Sequence, residues 1–298
     1  MTSRSSAVIL SQQTGPVLPN ANPFHPAATW LSSFGTGSLL TQETGSERLR
    51  PMFPIRDHNP SGQTPFVTYA LVAINVLVFL GYFTSLSEWQ LGDFFMTWGL
   101  IPARFMSGDG WETLFTSMFL HGGWMHLAGN MLFLWIFGDN LEDEMGHFGF
   151  LLFYLAAGAA AGLAQILPDP GSFAPMVGAS GAIAGVMGGY LLLFPKAKVD
   201  VLFIFIIFFR IFAIPAWIVL GIWLGLQIFS GVATPSDGGG VAYWAHVGGF
   251  VAGLVLTLPV WLRRGARGYW QATDGHPPHP ETQFPASRSN IPLVRRRR

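Results

Sequence analysis

The stretch "MVGASGAIAGVMGG", residues 176–189, decides the fold. Five glycines and three alanines surround one hydroxyl, Ser180, in a chain otherwise rich in Leu, Phe and Trp. Half of the 298 residues are hydrophobic and 11% are charged, far below the roughly one quarter charged that soluble domains carry. Several apolar runs approach the roughly 20 residues that cross a bilayer as a helix. Lipid is therefore the solvent that the sequence answers to. In lipid, apolar surface gives no drive for helices to associate, and small residues serve to bring two backbones close. Gly181, Gly185 and Gly189 repeat every fourth residue and form such a ridge. Ala245, Gly249 and Gly253 in "AYWAHVGGFVAG" (242–253) form another. Two helices carrying these ridges are expected to touch, with Ser180 and His246 near their ends, and Gly178 continues the small-residue character just ahead of the serine.

Six spans are expected, at about 66–86, 114–137, 148–167, 177–194, 211–231 and 241–262, giving an all-α polytopic membrane protein. An even number places both termini on one side. Arg48, Arg50 and Arg56 precede the first span, Lys196 and Lys198 follow the fourth, and Arg263, Arg264 and Arg267 follow the sixth. The positive-inside tendency makes these regions cytoplasmic. Residues 1–51, rich in Ser, Thr, Gly, Pro and Asn, read as a disordered extension without a signal-peptide pattern, and Met52 is an alternative start. Residues 52–65 are then a cytoplasmic juxtamembrane segment, 66–262 the membrane domain and 263–298 a basic cytoplasmic tail. The aromatic-rich connection 87–113 is expected in the outer interface. The run "VLFIFIIFFR" (201–210) is too short to cross, and reads as an interfacial or re-entrant piece.

Polar groups inside spans are costly and mark function by default. Three places qualify: "HGGWMHLAGNMLF" (121–133), Ser180 and His246. His126 and Asn130, four apart, share one helix face, whereas His121 is rotated off it and reads as structural, holding the outer loop against the second span. A buried serine alone is commonly packing, a lone His an interior histidine and a lone Asn interhelical glue. Together they have the parts of an acyl-transfer site. A serine hydroxyl needs a base to become a nucleophile, and histidine titrates in the right range. The N–H of Ser180 at a helix start, with His126 and Asn130, would face the developing oxyanion. The absence of cysteine excludes thiolate nucleophiles, disulfides and Cys-ligated zinc, and HExxH is missing too, so no metal is expected. The acids of "GDNLEDEMG" (138–146) read as a tight cytoplasmic loop in which Asn140 and Glu142 satisfy backbone groups, with His147 at the same boundary.

The motifs "HGGWMHLAGNMLFLWIFGDNLED", "GASGAIAG" and "AHVGGFVAG", in this order on the second, fourth and sixth spans, resemble the rhomboid family of intramembrane serine proteases. The likeness covers roughly 52–262. It implies a six-helix bundle in which Ser180 is the nucleophile and His246 the base, with no acidic third member. It also implies that His126 and Asn130 stabilise the oxyanion. Family members cut transmembrane proteins near the outer surface, at small residues and without a cofactor. The implied partners are transmembrane substrates and membrane lipid, not nucleic acid. A bacterial inner membrane is the expected location, with the site opening to the outer face. Two positions depart from the family pattern. Ala184 stands where some members carry an aromatic packed on the catalytic histidine, and "WE" (Trp111, Glu112) stands where others have Trp-Arg. A pseudoprotease that binds helices without cutting them is the alternative. A transporter or channel would need charges deep in spans or an internal repeat, and the sequence has neither.

Overall fold

The computed structural model describes residues 52–57, 61–205, 208–234 and 240–278. The extension 1–51 and the end of the basic tail lie outside them. The described chain is mostly helical. Helices α1 (Phe66–Phe83), α2 (Glu88–Trp98), α3 (Pro102–Met106), α4 (Thr113–Thr116), α5 (Trp124–Met145), α6 (His147–Ile166) and α7 (Ser180–Leu193) come first. They are followed by α8 (Ala216–Ala233), α9 (Tyr243–Arg263) and α10 (Arg267–Thr273). Strands β1 (Met52–Asp57), β2 (Lys198–Phe205) and β3 (Phe208–Pro215) form an antiparallel sheet in the order β1-β2-β3.

Four described helices, α1, α6, α8 and α9, are long and apolar enough to cross a membrane. Helix α7, with fourteen residues, is shorter, and eleven of its residues are buried. It is the centre of the bundle, and glycine is what lets it be central. A methyl at Gly249 would be driven into the carbonyl of Gly181, and one at Gly253 into the carbonyl of Gly185. A Cβ on Gly189 would sit 2.6 Å from Thr257 Oγ1, so α7 and α9 run in parallel with their ridges in contact along the whole length. At the same seam, a Cβ on Gly181 would meet Ala161 Cβ of α6 at 2.6 Å, and Ala157 of α6 blocks the space at Gly185. The expected contact between the two ridges is present, and α6 joins it as a third small-residue surface.

The second span differs from the expected 114–137. Residues 113–119 form α4 and one 3₁₀ turn, and α5 starts at Trp124 and runs through the acidic stretch to Met145, leaving only Gly146 before α6. Acids at a helix C-terminus oppose its dipole, and another helix compensates them. Glu142 accepts hydrogen bonds from the N–H groups of Val67 and Thr68, both at 2.8 Å, and from Thr68 Oγ1 at 2.7 Å. These N–H groups open α1 and have no partner within it. Asp143 takes those of Gly62 and Gln63 in the same way, and His147 Nδ1 lies 2.5 Å from Glu142 Oε1. Glu142 thus satisfies backbone groups as its sequence position suggests, but from a helix end rather than a loop.

The described residues of the run 201–210 form strands and not a seventh helix. They belong to β2 and β3, which pair from Lys198↔Pro215 to Phe205↔Phe208, and β3 occupies the start of the expected fifth span. Val, Ile and Phe favour strands, and a short apolar run has no periodicity to separate strand from helix. Pro215 ends the strand and caps α8. The first residues of the tail, read as plain basic tail, form α10, where Trp270 Nε1 donates to Leu192 O at 3.0 Å and Tyr269 is buried. Sheet, α10 and the C-terminal ends of α7 and α9 share one end of the bundle.

The opposite end is closed by 84–123. Tyr82 Oη both accepts from His121 N–H and donates to His121 O, each at 2.7 Å, and Phe94 and Phe95 pack on the same Tyr82 ring. His121 therefore joins the loop to the end of α1. Trp89, Trp98 and Trp111 remain exposed, in keeping with an aromatic interface. The carbonyls of Trp111 and Glu112 make only local backbone hydrogen bonds among the described residues, to the N–H groups of Leu114, Phe115 and Thr116. Arg104 ties the segment together, donating to the carbonyls of Met96 (2.8 Å), Thr97 (3.0 Å) and Gly99 (3.1 Å).

Candidate active site

Ser180 is the first residue of α7. The strand-like approach to it is fixed from outside. Leu100 and Met176 exchange backbone hydrogen bonds of 3.0 and 2.8 Å, and Gly178 N–H donates to Ser117 O at 2.9 Å. Gly178 has φ +132°, a conformation that side chains rarely adopt. The space its missing side chain leaves open is bounded by His126 Nε2 at 2.8 Å and Ser180 Oγ at 3.5 Å from the ideal Cβ position.

His246 stands in the first turn of α9. Its Nε2 lies 2.8 Å from Ser180 Oγ and its Nδ1 2.8 Å from Gln227 Oε1 of α8. The start of α9 is itself held by Gln165 of α6, whose Oε1 accepts from Ala245 N–H at 3.0 Å. Trp223, one turn before Gln227, sets its ring 5.8 Å from that of His246 and 6.1 Å from that of Phe250. Ala184 is fully buried in α7, and the aromatic surface beside the histidine comes from α8 instead.

His126 lies in the first turn of α5. Its Nδ1 accepts from Gly122 N–H at 3.3 Å. A neutral imidazole carries one proton, so this contact leaves the proton on Nε2, the nitrogen that faces the space at Gly178. Asn130, one turn on, is buried, and its Nδ2 has no hydrogen-bond partner among the described residues. His121, though outside the helix, packs its ring 5.1 Å from that of His126 rather than standing apart from it. The structure thus brings Ser180 and His246 into direct contact and places His126 at the edge of the same space. Gly181, Gly185, Gly249 and Gly253 supply the close approach behind them.

Three residues at the site were not singled out from the sequence: Gln165, Trp223 and Gln227. Gln227 had a legible signal, since it is the only amide in the apolar run "AWIVLGIWLGLQIFSGVA", and an intramembrane polar group is a functional candidate by default. Trp223 had none, because an aromatic in a span is usual.

This geometry suits acyl transfer: a hydroxyl hydrogen-bonded to an imidazole, at a helix start, with His126 Nε2 close by across Gly178. The model of the rhomboid domain matches residues 108–263, which contain all of these groups and just over half of the chain. The chain belongs to the rhomboid family. This rhomboid is 30% identical over 198 residues to the mitochondrial rhomboid protein 1 of Saccharomyces cerevisiae, covering 63% of the present chain and 51% of that one. It is 31% identical over 196 residues to the rhomboid protease GluP of Bacillus subtilis (65% and 36% of the two chains). The chloroplastic rhomboid-like protein 11 of Arabidopsis thaliana is 45% identical over 76 residues, 26% and 27% of the two chains. The matches span between about a quarter and a half of the length of these relatives. Family and apolar helices together make this rhomboid an integral membrane protein.

Proposed function

We propose that this rhomboid is an intramembrane serine endopeptidase that hydrolyses peptide bonds in or near transmembrane segments of other proteins. The observation that carries the proposal is the 2.8 Å contact between Ser180 Oγ and His246 Nε2 at the joined ends of α7 and α9. In the proposed reaction, His246 Nε2 takes the Ser180 proton as Oγ attacks the scissile carbonyl. The oxyanion forms at the space beside Gly178, where His126 Nε2–H, Asn130 Nδ2 and the Ser180 N–H are its donors. The imidazolium then gives its proton to the leaving amine, and the acyl-serine is hydrolysed by water that His246 activates in the same way. No cofactor takes part.

The six-span topology belongs to this proposal: α1, α5, α6, α7, α8 and α9 cross, with α7 short because the bundle surrounds it. Lys196, Arg263, Arg264 and Arg267 lie at the end remote from Ser180, which supports cytoplasmic termini and a site opening to the opposite face. A bacterial inner membrane is the proposed location on the six-span form alone; the relatives named above are divided, one bacterial, one mitochondrial and one chloroplastic by name. Transmembrane proteins are the proposed substrates, surrounded by membrane lipid.

Labelling of the full chain in detergent by a serine-directed fluorophosphonate tests the site. Wild type takes up the probe, and Ser180→Ala and His246→Ala do not. Labelling of folded Ser180→Ala equal to wild type would assign the reactive serine elsewhere, and a folded wild type that binds a transmembrane helix but never labels would be a pseudoprotease.

A further inference from the structure

Helix α8 is the least buried of the long apolar helices, and half of its residues are exposed. Yet it carries Gln227, half-buried between exposed Leu226 and Ile228. An amide in hydrocarbon is costly unless its polar atoms are bonded. Its oxygen has one described partner, His246 Nδ1, at 2.8 Å. Four residues earlier on the same face, the Trp223 ring lies beside the same imidazole at an interplanar angle of 35°.

We propose that Gln227 is the positioning residue for the base, a neutral third member behind Ser180 and His246, with Trp223 fixing the ring plane. This rests on the reading of Ser180 and His246 given above. An amide oxygen only accepts, so Nδ1 must carry the imidazole proton. That leaves the lone pair on Nε2, which faces the Ser180 hydroxyl, and the hydroxyl donates to it. The other tautomer would point an N–H at Oγ and could not receive the serine proton. Gln227 thus selects the one neutral form of His246 that acts as a base, a task that requires an acceptor but no charge. It also explains how the histidine is held with only a methyl at position 184.

The test uses the full chain, reconstituted, with the fluorophosphonate probe and ¹⁵N-labelled histidine. The His246 resonances are assigned by their loss in His246→Ala. In wild type, the expected spectrum has a protonated Nδ1 and a bare Nε2. Gln227→Met, of equal length but without an acceptor, is expected to label about tenfold more slowly, the worth of one hydrogen bond, and to show both tautomers. Gln227→Glu, which keeps the acceptor, restores both readouts. Labelling of Gln227→Met at the wild-type rate, or a wild-type spectrum with the proton on Nε2, overturns the proposal. The wild-type spectrum decides even if Gln227→Met does not fold. A wild type that takes no label defeats the reading of the dyad instead, and the spectrum still reports on Gln227.

Discussion

Ser180 and His246 are 66 residues apart in the chain, and Oγ of one lies 2.8 Å from Nε2 of the other. Neither side chain is long enough to close that gap unless the backbones are already close. The closeness comes from Gly181 and Gly185 against Gly249 and Gly253: a side chain at either of the last two would meet a carbonyl of α7, and one at either of the first two an alanine of α6. The serine, the histidine and the glycines behind them are one device: the ridge sets the distance and the polar pair uses it.

Enlarging the ridge should therefore damage fold and site together. Gly249→Ala is expected to lower stability by about 1–3 kcal/mol, the usual cost of overpacking, and to reduce labelling beyond that loss. Gly221→Ala, on α8 with nothing within 4 Å of its Cβ position, should change neither. Thermal unfolding in detergent with parallel labelling checks both.

Gly178 separates strain from packing. Gly178→Ala puts a methyl 2.8 Å from His126 Nε2 on a backbone with φ +132°. It is expected to cost about 1–3 kcal/mol in strain and to block the proposed oxyanion space. Its cleavage rate should fall at least as far as that of Asn130→Ala. An active Gly178→Ala would place the oxyanion elsewhere.

For His126→Ala and Asn130→Ala, the expected loss in kcat is roughly 10²- to 10³-fold each, with folding retained, as for other oxyanion donors. Single-turnover cleavage measures it. A change confined to KM would make these residues substrate contacts instead.

At the other end of the bundle, Glu142→Ala strips the partners from the Val67 and Thr68 N–H groups. Each buried unsatisfied group costs about 1–3 kcal/mol, so the melting temperature should fall clearly. Labelling per folded molecule should not, because Ser180 and His246 stand at the opposite end. Equal losses in both would mean that α1 and α5 transmit to the site.

Much of this was readable in the chain. Small residues at fourfold spacing give the α7–α9 contact because lipid leaves few other reasons for them. Ser180, His246, His126 and Asn130 are legible because polar groups in apolar spans are rare. What escaped has physical causes too. Strands β2 and β3 are too apolar and too short for periodicity to distinguish strand from helix. Helix α5 continues through Asp139, Glu142, Asp143 and Glu144 because its compensating partners lie 74 and 75 residues away at the start of α1. Arg104 holds the 84–123 segment through three carbonyls that no motif announces.

The central claim is that Ser180 cuts peptide bonds within the membrane, and the most direct measurement is cleavage of a single-span model substrate co-reconstituted in liposomes. The account predicts a defined product with wild type and a rate lower by roughly 10⁴-fold or more for Ser180→Ala. Cleavage at the wild-type rate by folded Ser180→Ala would contradict it.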